Sequence, residues 1–499
     1  MKIANRVRRG FYADSVALMR IARQLASVPG VMRASLMIGT PSNKALLRES
    51  GLLSKEGESA RPDDLIIAVK GKNAEAGLIL AEKLLTSGTA KSESSESHPT
   101  FASALGALPG ANLALISVPG EFAAAEARRA LEHGLHVMVF SDNVPLAEEV
   151  ALKDFAAQRG LLMMGPDCGT ALIAGVPIAF ANAVPRGDIG IVSASGTGLQ
   201  EVSCLIARGG RGISHGIGVG GRDLSQAVGG RMTLAAMAAL EADAATQRII
   251  IISKPPAHSV MKKVVARASR SRKPVTLCLL GAKNFKTPKH VRLARTLEEA
   301  AGGKPGETKF EFKSKGSIRG LFCGGTLCAE AQIVLMDHGL KVASNAPVPG
   351  ARGVVKRASA APHQLLDLGA DEFTRGRPHP MIEPALRNQH LERALREKGV
   401  GVVLLDVVIG YGAHLDPAGL IAQVLEKAKE RNPQVIASVT GTEADPQVYS
   451  RQVKKLRAAG VVVAASNAQA AKLAALATLR GRPSPARRPR RSRPRSRSR

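Results

Sequence analysis

The chain has 499 residues, enough for about three ordinary domains, and 45% are hydrophobic, so a full core can be buried. Aromatics supply 3% and Trp is absent, which leaves Ala, Val, Leu, Ile and Gly to pack as Val/Ile strands under Ala-rich helices. The formal charge is +29, but nine Arg and no acid fall in the last stretch from Gly481, leaving +20 spread without a stripe; with few bases-stacking aromatics and no basic helix motif, specific nucleic-acid binding is excluded.

No run of 18 apolar residues occurs, so no membrane span is expected. The basic N-terminus, MKIANRVRRGFYADS, lacks an apolar signal core. Cys168, Cys204, Cys278, Cys323 and Cys328 are scattered, and the one close pair matches neither a zinc pair nor a redox CxxC. A reduced, cytoplasmic protein follows.

Residues 1–91 alternate strand and helix signals, NRVRRGFYA, SVALMRIARQLASV, VMRASLMIG, SNKALLRESG, DDLIIAVKG and EAGLILAEKLLTSG, and read as a small α/β module. A polar linker, Ser92 to Pro109, closes it. Residues 110–186 form a second module: strands NLALISVPG, LHVMVFSD and LLMMGPD around two helices, a doubly wound parallel fold whose ligands sit at the C-terminal strand edge. Its edge loops carry Ser117, Pro119 and Gly120, then Ser141 to Asn143, then Gly165, Pro166, Asp167 and Cys168. No GxGxxG is present, so a dinucleotide is not expected. Asp167 is either a reactive acid or the cap of a Gly-Pro turn.

The third module, 187–300, opens on GDIGIVSASGTGLQ. Ile189 to Val192 reads as a buried parallel strand, and Leu199, Val202, Leu205 and Ile206 take helical spacing. The small residues between them, Ser193, Ser195, Gly196, Thr197 and Gly198, bring free backbone N–H groups and a helix dipole to one point. That geometry suits an anion, though a plain βα turn uses the same residues. No Gly-Lys-Ser/Thr follows, so this is not a P-loop. A second Gly-rich loop, Gly218 to Asp223, carries Arg222, either a phosphate contact or a surface residue.

The fourth module, 316–478, repeats the design: strand Ile318 to Phe322, turn Cys323-Gly324-Gly325-Thr326, helix from Leu327. A second such turn in one chain favours the use of both. Farther on come Asp371, Glu372, Arg375, Arg377 and His379, then Asp406, then Glu443 and Asp445. Acids at strand ends either hold Mg²⁺ beside a phosphate or cap helices. Residues 481–499, all Pro, Ser, Gly, Ala and Arg, are expected to be a disordered basic tail.

Residues 112–280, through ISVPGEFAAAEARRALEHG, LMMGPDCGTALI, GDIGIVSASGTGLQEV and GIGVGGRDL, resemble the α subunit of succinyl-CoA synthetase. To about residue 475, with LMIGTPSNKALL, LFCGGTLCAEAQ, RGRPHPMIEP, LDVVIGYGAHLDP and TGTEADPQ, the chain is identified as a member of the FdrA family of acyl-CoA-synthetase-like proteins. The last module resembles the C-terminal domain of the synthetase β subunit. The resemblance implies an α/β fold of several doubly wound parallel-sheet modules: a Rossmann-like CoA-binding-type domain at 110–186 and flavodoxin-like ligase domains at 187–300 and 316–478.

The departures limit the chemistry. Where the synthetase α subunit carries its phosphorylated His, this chain reads CLLGAKNF, without His; near the place of its Glu partner stands ISKPP, without an acid. No ATP-grasp domain is present. The resemblance then implies that the two turns face each other across a gap the size of a small dianion, and that an acyl or carbamoyl group is transferred through a free acyl phosphate. In the FdrA family this is linked to allantoin catabolism as an oxamate carbamoyltransferase subunit, interconverting oxalurate plus phosphate with oxamate plus carbamoyl phosphate. On this reading Ser195, Thr197 and His379 are catalytic, and Ser193, Gly196, Gly198, Gly324, Gly325 and Thr326 bind phosphate. Ser117, Pro119, Gly120, Gly165, Pro166, Asp167 and Arg375 bind CoA or a carboxylate substrate. Partner subunits or a homo-oligomer are implied; CoA and Mg²⁺ stand as possible cofactors. The alternatives are an ADP-forming acyl-CoA ligase that borrows its nucleotide site, and a non-catalytic assembly subunit.

Overall fold

The structure, a computed structural model, describes residues 2–11, 13, 15–26, 28–88, 98–282, 286–303, 313–354, 362–374, 378–428 and 433–480. The expected tail, Arg375 and Arg377 lie outside the described residues.

The N-terminal sheet has three strands in the order Lys2–Arg8, Leu65–Gly71, Val31–Ile38, and both pairings are antiparallel. Leu65, Ile67 and Val69 face helices Ser15–Ala26 and Ala74–Gly88, while Ile66 and Ala68 face the helix Pro41–Glu49 side. Both faces are covered, which is why the central strand reads as an unbroken apolar run.

The second sheet is parallel, with Leu113–Ile116, His136–Val139 and Met163–Met164 in sequence order. The hairpin Thr170–Ile173 and Val176–Ala179 does not extend it. The hairpin instead joins the next sheet, pairing antiparallel with Ile213–Gly218. That seven-stranded sheet otherwise runs parallel, with Arg186–Ser193 between Arg248–Ser253 and Ile213–Gly218. The last sheet has seven parallel strands, with Ser317–Phe322 between His363–Asp367 and Val400–Val408. In each large sheet the chain runs to one side of this inner strand and later returns to the other, so the strand's C-terminal end is a topological switch point.

Helices Gly196–Arg208 and Gly325–Asp337 follow these two inner strands. One hydrophobic core holds both: Leu199, Val202 and Ile206 pack with Leu327, Ala331 and Leu335, and with Ala470, Ala471 and Ala474 of helix Asn467–Arg480. Each buried Leu, Ile or Val contributes about 1.5–3 kcal/mol, and the alanines let the helix axes approach. Buried polar links tighten the same seam. Asn467 donates its backbone N–H to Glu201 at 3.1 Å and its amide to Glu330 at 2.7 Å; Asn182 donates to Asp445 at 2.8 Å. The shared helix layer therefore sets the third and fourth modules in fixed register.

Candidate active site at two facing helix termini

The two small-residue turns, 131 positions apart in sequence, meet: the Ser195 hydroxyl donates to the Thr326 hydroxyl at 2.5 Å. A Cβ on Gly324 would stand 3.0 Å from the Thr197 side chain. The gap expected between the turns is closed at this point by direct contact, and the open part of the site lies beside it, where Gly196 is exposed and Gly325 half-buried.

The donors sort themselves. The Ser193 hydroxyl is buried and donates to the Ser195 carbonyl at 2.7 Å, so it locks the turn rather than offering a proton outward. Ser195 Oγ accepts from the Gly198 N–H at 2.9 Å, the side-chain cap of its helix. Asp406 accepts from the Cys323 and Gly324 amides, both at 2.7 Å. The expectation that Gly198 and Gly324 offer amides to phosphate is corrected on that ground: both N–H groups are already given to protein oxygens. The amides of Gly196, Thr197, Gly325 and Thr326 donate to no other described residue. They form the first turns of two helices and carry their positive dipole ends.

Charged groups surround this point. Lys254 follows strand Arg248–Ser253 and is exposed. Its Nζ and Asp367 Oδ2 lie 2.7 and 2.5 Å from the position a Cβ on Gly325 would take. Burial pushes the Asp367 carboxyl up, and Lys254 opposes that shift. Burial likewise takes Asp406 to about 6, against the pull of its amide donors and of the buried Arg387. His379 is brought to the Cys323 side of the site, its Nε2 2.5 Å from where a Cβ on Gly369 would be. Burial lowers it to about 4, so it is a neutral imidazole at pH 7. Because Nδ1 accepts from the Met381 N–H at 3.2 Å, Nε2 carries the proton and is a donor. All five cysteines are buried, and burial pushes the Cys168 thiol up to about 12, so no thiolate is offered.

The second module's edge residues also converge. Asp167, in the turn after the cis Gly165–Pro166 bond, donates its N–H to the Ser141 carbonyl at 3.0 Å. A Cβ on Gly120 would sit 2.2 Å from the Asp142 carbonyl oxygen, and one on Gly165 (φ +104) 2.4 Å from that of Val139. Those glycines are required by loop packing. Ser117 is exposed and Pro119 precedes helix Gly120–Glu132. The Asp167 carboxyl is itself exposed, yet protein surrounding it pushes it up to about 6; Asp142 and Asp371 add to the rise, and Lys254 and Arg222 oppose it. This coupling links the second module's edge to the helix termini. Arg222 is engaged by the Glu149 carboxylate and the Val144 carbonyl, both at 2.8 Å, so it serves packing.

The strand-end acids expected near Mg²⁺ are spent internally: Asp445 on Asn182, Ala183 and Thr442, Glu443 on Ser450. No group of three metal-ligating side chains occurs among the described residues. A surface hollow of about 520 Å³ runs along helix Tyr449–Ala458. It lies by Arg208, at the far end of helix Gly196–Arg208 from the amides, and is not the site. Sequence reasoning missed Lys254 and Asp367. The one signal for Lys254 is a cation directly after the strand Arg248–Ser253, four of whose residues are Ile, at the edge where ligands bind.

Residues 321–477 match the CoA-ligase family, and residues 1–100 match the AllF heavy metal-associated domain. Over 93% of its length the chain is 41% identical to the uncharacterized protein YahF of Escherichia coli (strain K12), covering 96% of that protein. The chain belongs to the FdrA-type family. It is an acyl-CoA-synthetase-like protein of the succinyl-CoA-ligase type. Over 22% of this chain it is 34% identical to the succinate–CoA ligase α subunit of Aquifex aeolicus (strain VF5), covering 39% of that subunit. Over 42% it is 25% identical to the ADP-forming sulfoacetate-CoA ligase subunit SauD of Bilophila wadsworthia, covering 72% of it. Among solved structures, acetyl-coenzyme A synthetase 1 of Ca. Korarchaeum cryptofilum, in complex with phosphate and ADP, superposes over 74% of this chain and 83% of that one. The identity is 16% and the TM-score 0.31, too low to bear on chemistry. No described helix is long and apolar enough to cross a membrane.

The N-terminal module of this family member carries no thiolate ligand for a metal. Residues 1–100 contain no Cys and one His, His98. The loop after the first strand is instead held by Asp64, which accepts from Gly10 and Arg61.

Proposed function

We propose that the protein is a subunit of an enzyme that transfers an acyl or carbamoyl group from a free acyl phosphate, and that the oxamate carbamoyltransferase reaction is its activity. One observation carries this reading: two helix N-termini from separate modules meet at the Ser195–Thr326 contact, with the amides of Gly196, Thr197, Gly325 and Thr326 left to accept an anion. Backbone donors at helix ends hold phosphate without any change of protonation, and fixed dipoles cost no reorganisation when charge develops. The rest of the site favours direct transfer. The thiols are buried, and His379 is a neutral donor suited to polarise the acyl carbonyl. The N-terminal residues 1–91 then serve assembly with partner subunits, and modules 110–186, 187–300 and 316–478 build the site. Arg375 remains the proposed contact for the acceptor's carboxylate.

The CoA-ligase family match favours a second reading, in which CoA is a substrate and a partner supplies the nucleotide site. CoA would then lie along Ser117, Pro119, Gly120, Gly165 and Pro166. Calorimetric titration of the protein with its partner subunits separates the two. Saturable carbamoyl phosphate binding supports the first; CoA binding with no response to carbamoyl phosphate refutes it. Binding of neither marks an assembly subunit.

A further inference from the structure

Lys254 is rooted in one module and reaches into another. Its strand lies beside Arg186–Ser193, with Ile252 opposite Ser193 and accepting from the Ala194 N–H at 2.9 Å. The Ser253 hydroxyl donates to the Lys254 carbonyl at 2.6 Å and steadies the strand end. From there the side chain extends to the first turn of helix Gly325–Asp337, where Nζ stands 2.7 Å from the Gly325 Cβ position. It forms no ion pair or hydrogen bond with another described residue through Nζ. Asp367 and Asp167 feel its charge through space, and Glu372, Asp371, Asp142 and Arg222 are the other charged groups around them.

The placement sets a cation among helix dipoles on one side and the Asp367 and Asp167 carboxyls on the other. Each helix N-terminus is equivalent to about half a positive charge, and a flexible, exposed lysine can keep its ammonium in water. Here the ammonium sits at the first turn of helix Gly325–Asp337, without an ion pair to a described carboxylate. A bound dianion at that turn would meet the ammonium and the helix end together.

We propose that Lys254 is a catalytic residue whose ammonium holds the leaving oxygen of the acyl phosphate. This rests on the acyl-phosphate reading above. The acceptor's nucleophilic atom forms a bond to the acyl carbon, the carbon–oxygen bond to phosphorus breaks with its electron pair passing to the phosphate, and the proton lost by the acceptor leaves the product as hydrogen phosphate. Lys254 takes no part in the proton transfer. It meets the phosphate in the ground state and meets it more strongly as the third negative charge develops, so it acts on turnover beyond affinity.

The test uses the full chain assembled with its partner subunits, with inorganic phosphate as the binding probe and carbamoyl phosphate as the donor. Lys254→Met is expected to weaken phosphate about tenfold or more and to cut kcat about 100-fold or more. Lys254→Arg, which keeps the charge, is expected to recover phosphate affinity to within a few-fold and kcat only partly. Lys254→Gln provides the same neutral readout should the Met variant fold poorly. Wild-type affinity and turnover in both neutral variants would overturn the role of Lys254 while leaving the acyl-phosphate reading intact. Absence of phosphate and carbamoyl phosphate binding in the wild-type assembly would overturn both.

Discussion

Glu330 braces the helix whose first turn carries Gly325 and Thr326. Its carboxyl is buried, accepting from the Leu297 N–H at 2.6 Å and from Asn467 at 2.7 Å. Burial, aided by the like charges of Glu201 and Glu298, raises it from an ordinary 4.5 to about 8. The folded protein therefore keeps a proton there that the unfolded chain gives up near pH 4.5. The resulting stability is fully present below pH 4.5 and is lost as pH rises toward 8. At about 1.4 kcal/mol per pKa unit, the span from 4.5 to about 8 amounts to about 5 kcal/mol at most. Glu330→Gln keeps an acceptor for Leu297 and removes the titration. Denaturant unfolding of both proteins at pH 5.5 and 8.5 isolates the difference, because every other titrating group is common to them. The variant should lose less stability between the two pH values, by several kcal/mol. Equal pH slopes would show that Glu330 ionises freely in the folded state and would refute the reasoning.

Three further outcomes follow from the geometry. Gly198→Val places a Cβ 2.8 Å from Ser195 Oγ and 3.0 Å from Ile252; it should displace the cap and weaken phosphate binding, with the circular-dichroism spectrum unchanged. Thr326→Val removes the acceptor of the 2.5 Å contact and should cost about 1 kcal/mol in denaturant unfolding, with a larger proportional loss in phosphate affinity. Asp406→Asn leaves one side-chain oxygen where two serve the Cys323 and Gly324 amides. Amide hydrogen exchange at that turn should quicken, and the wild-type turn should loosen in the same way as pH falls through about 6, where Asp406 takes up its proton.

Much of the architecture was legible from local pattern. The Ile-rich strand before SASGTG and the apolar run before CGGT are buried on both faces, which needs no long-range information to recognise. The N-caps follow from the same local chemistry: Ser195 caps its helix as its residue type favours. Other readings needed the whole fold. The hairpin at 170–179 has turn signals of its own, but nothing local says which sheet it joins. Strand direction in the N-terminal sheet is equally a matter of pairing.

The sequence alone determined the family, the alternation of strands and helices, and the two small-residue turns between strand and helix, because those rest on residue types at short spacing. Only the tertiary structure decided that the turns touch, that Asp406 takes the Gly324 amide, and that Lys254 reaches the second helix from a neighbouring strand. Those facts are set by how two sheets close on one helix layer. A hydrogen bond between positions 131 residues apart has no trace in either local stretch.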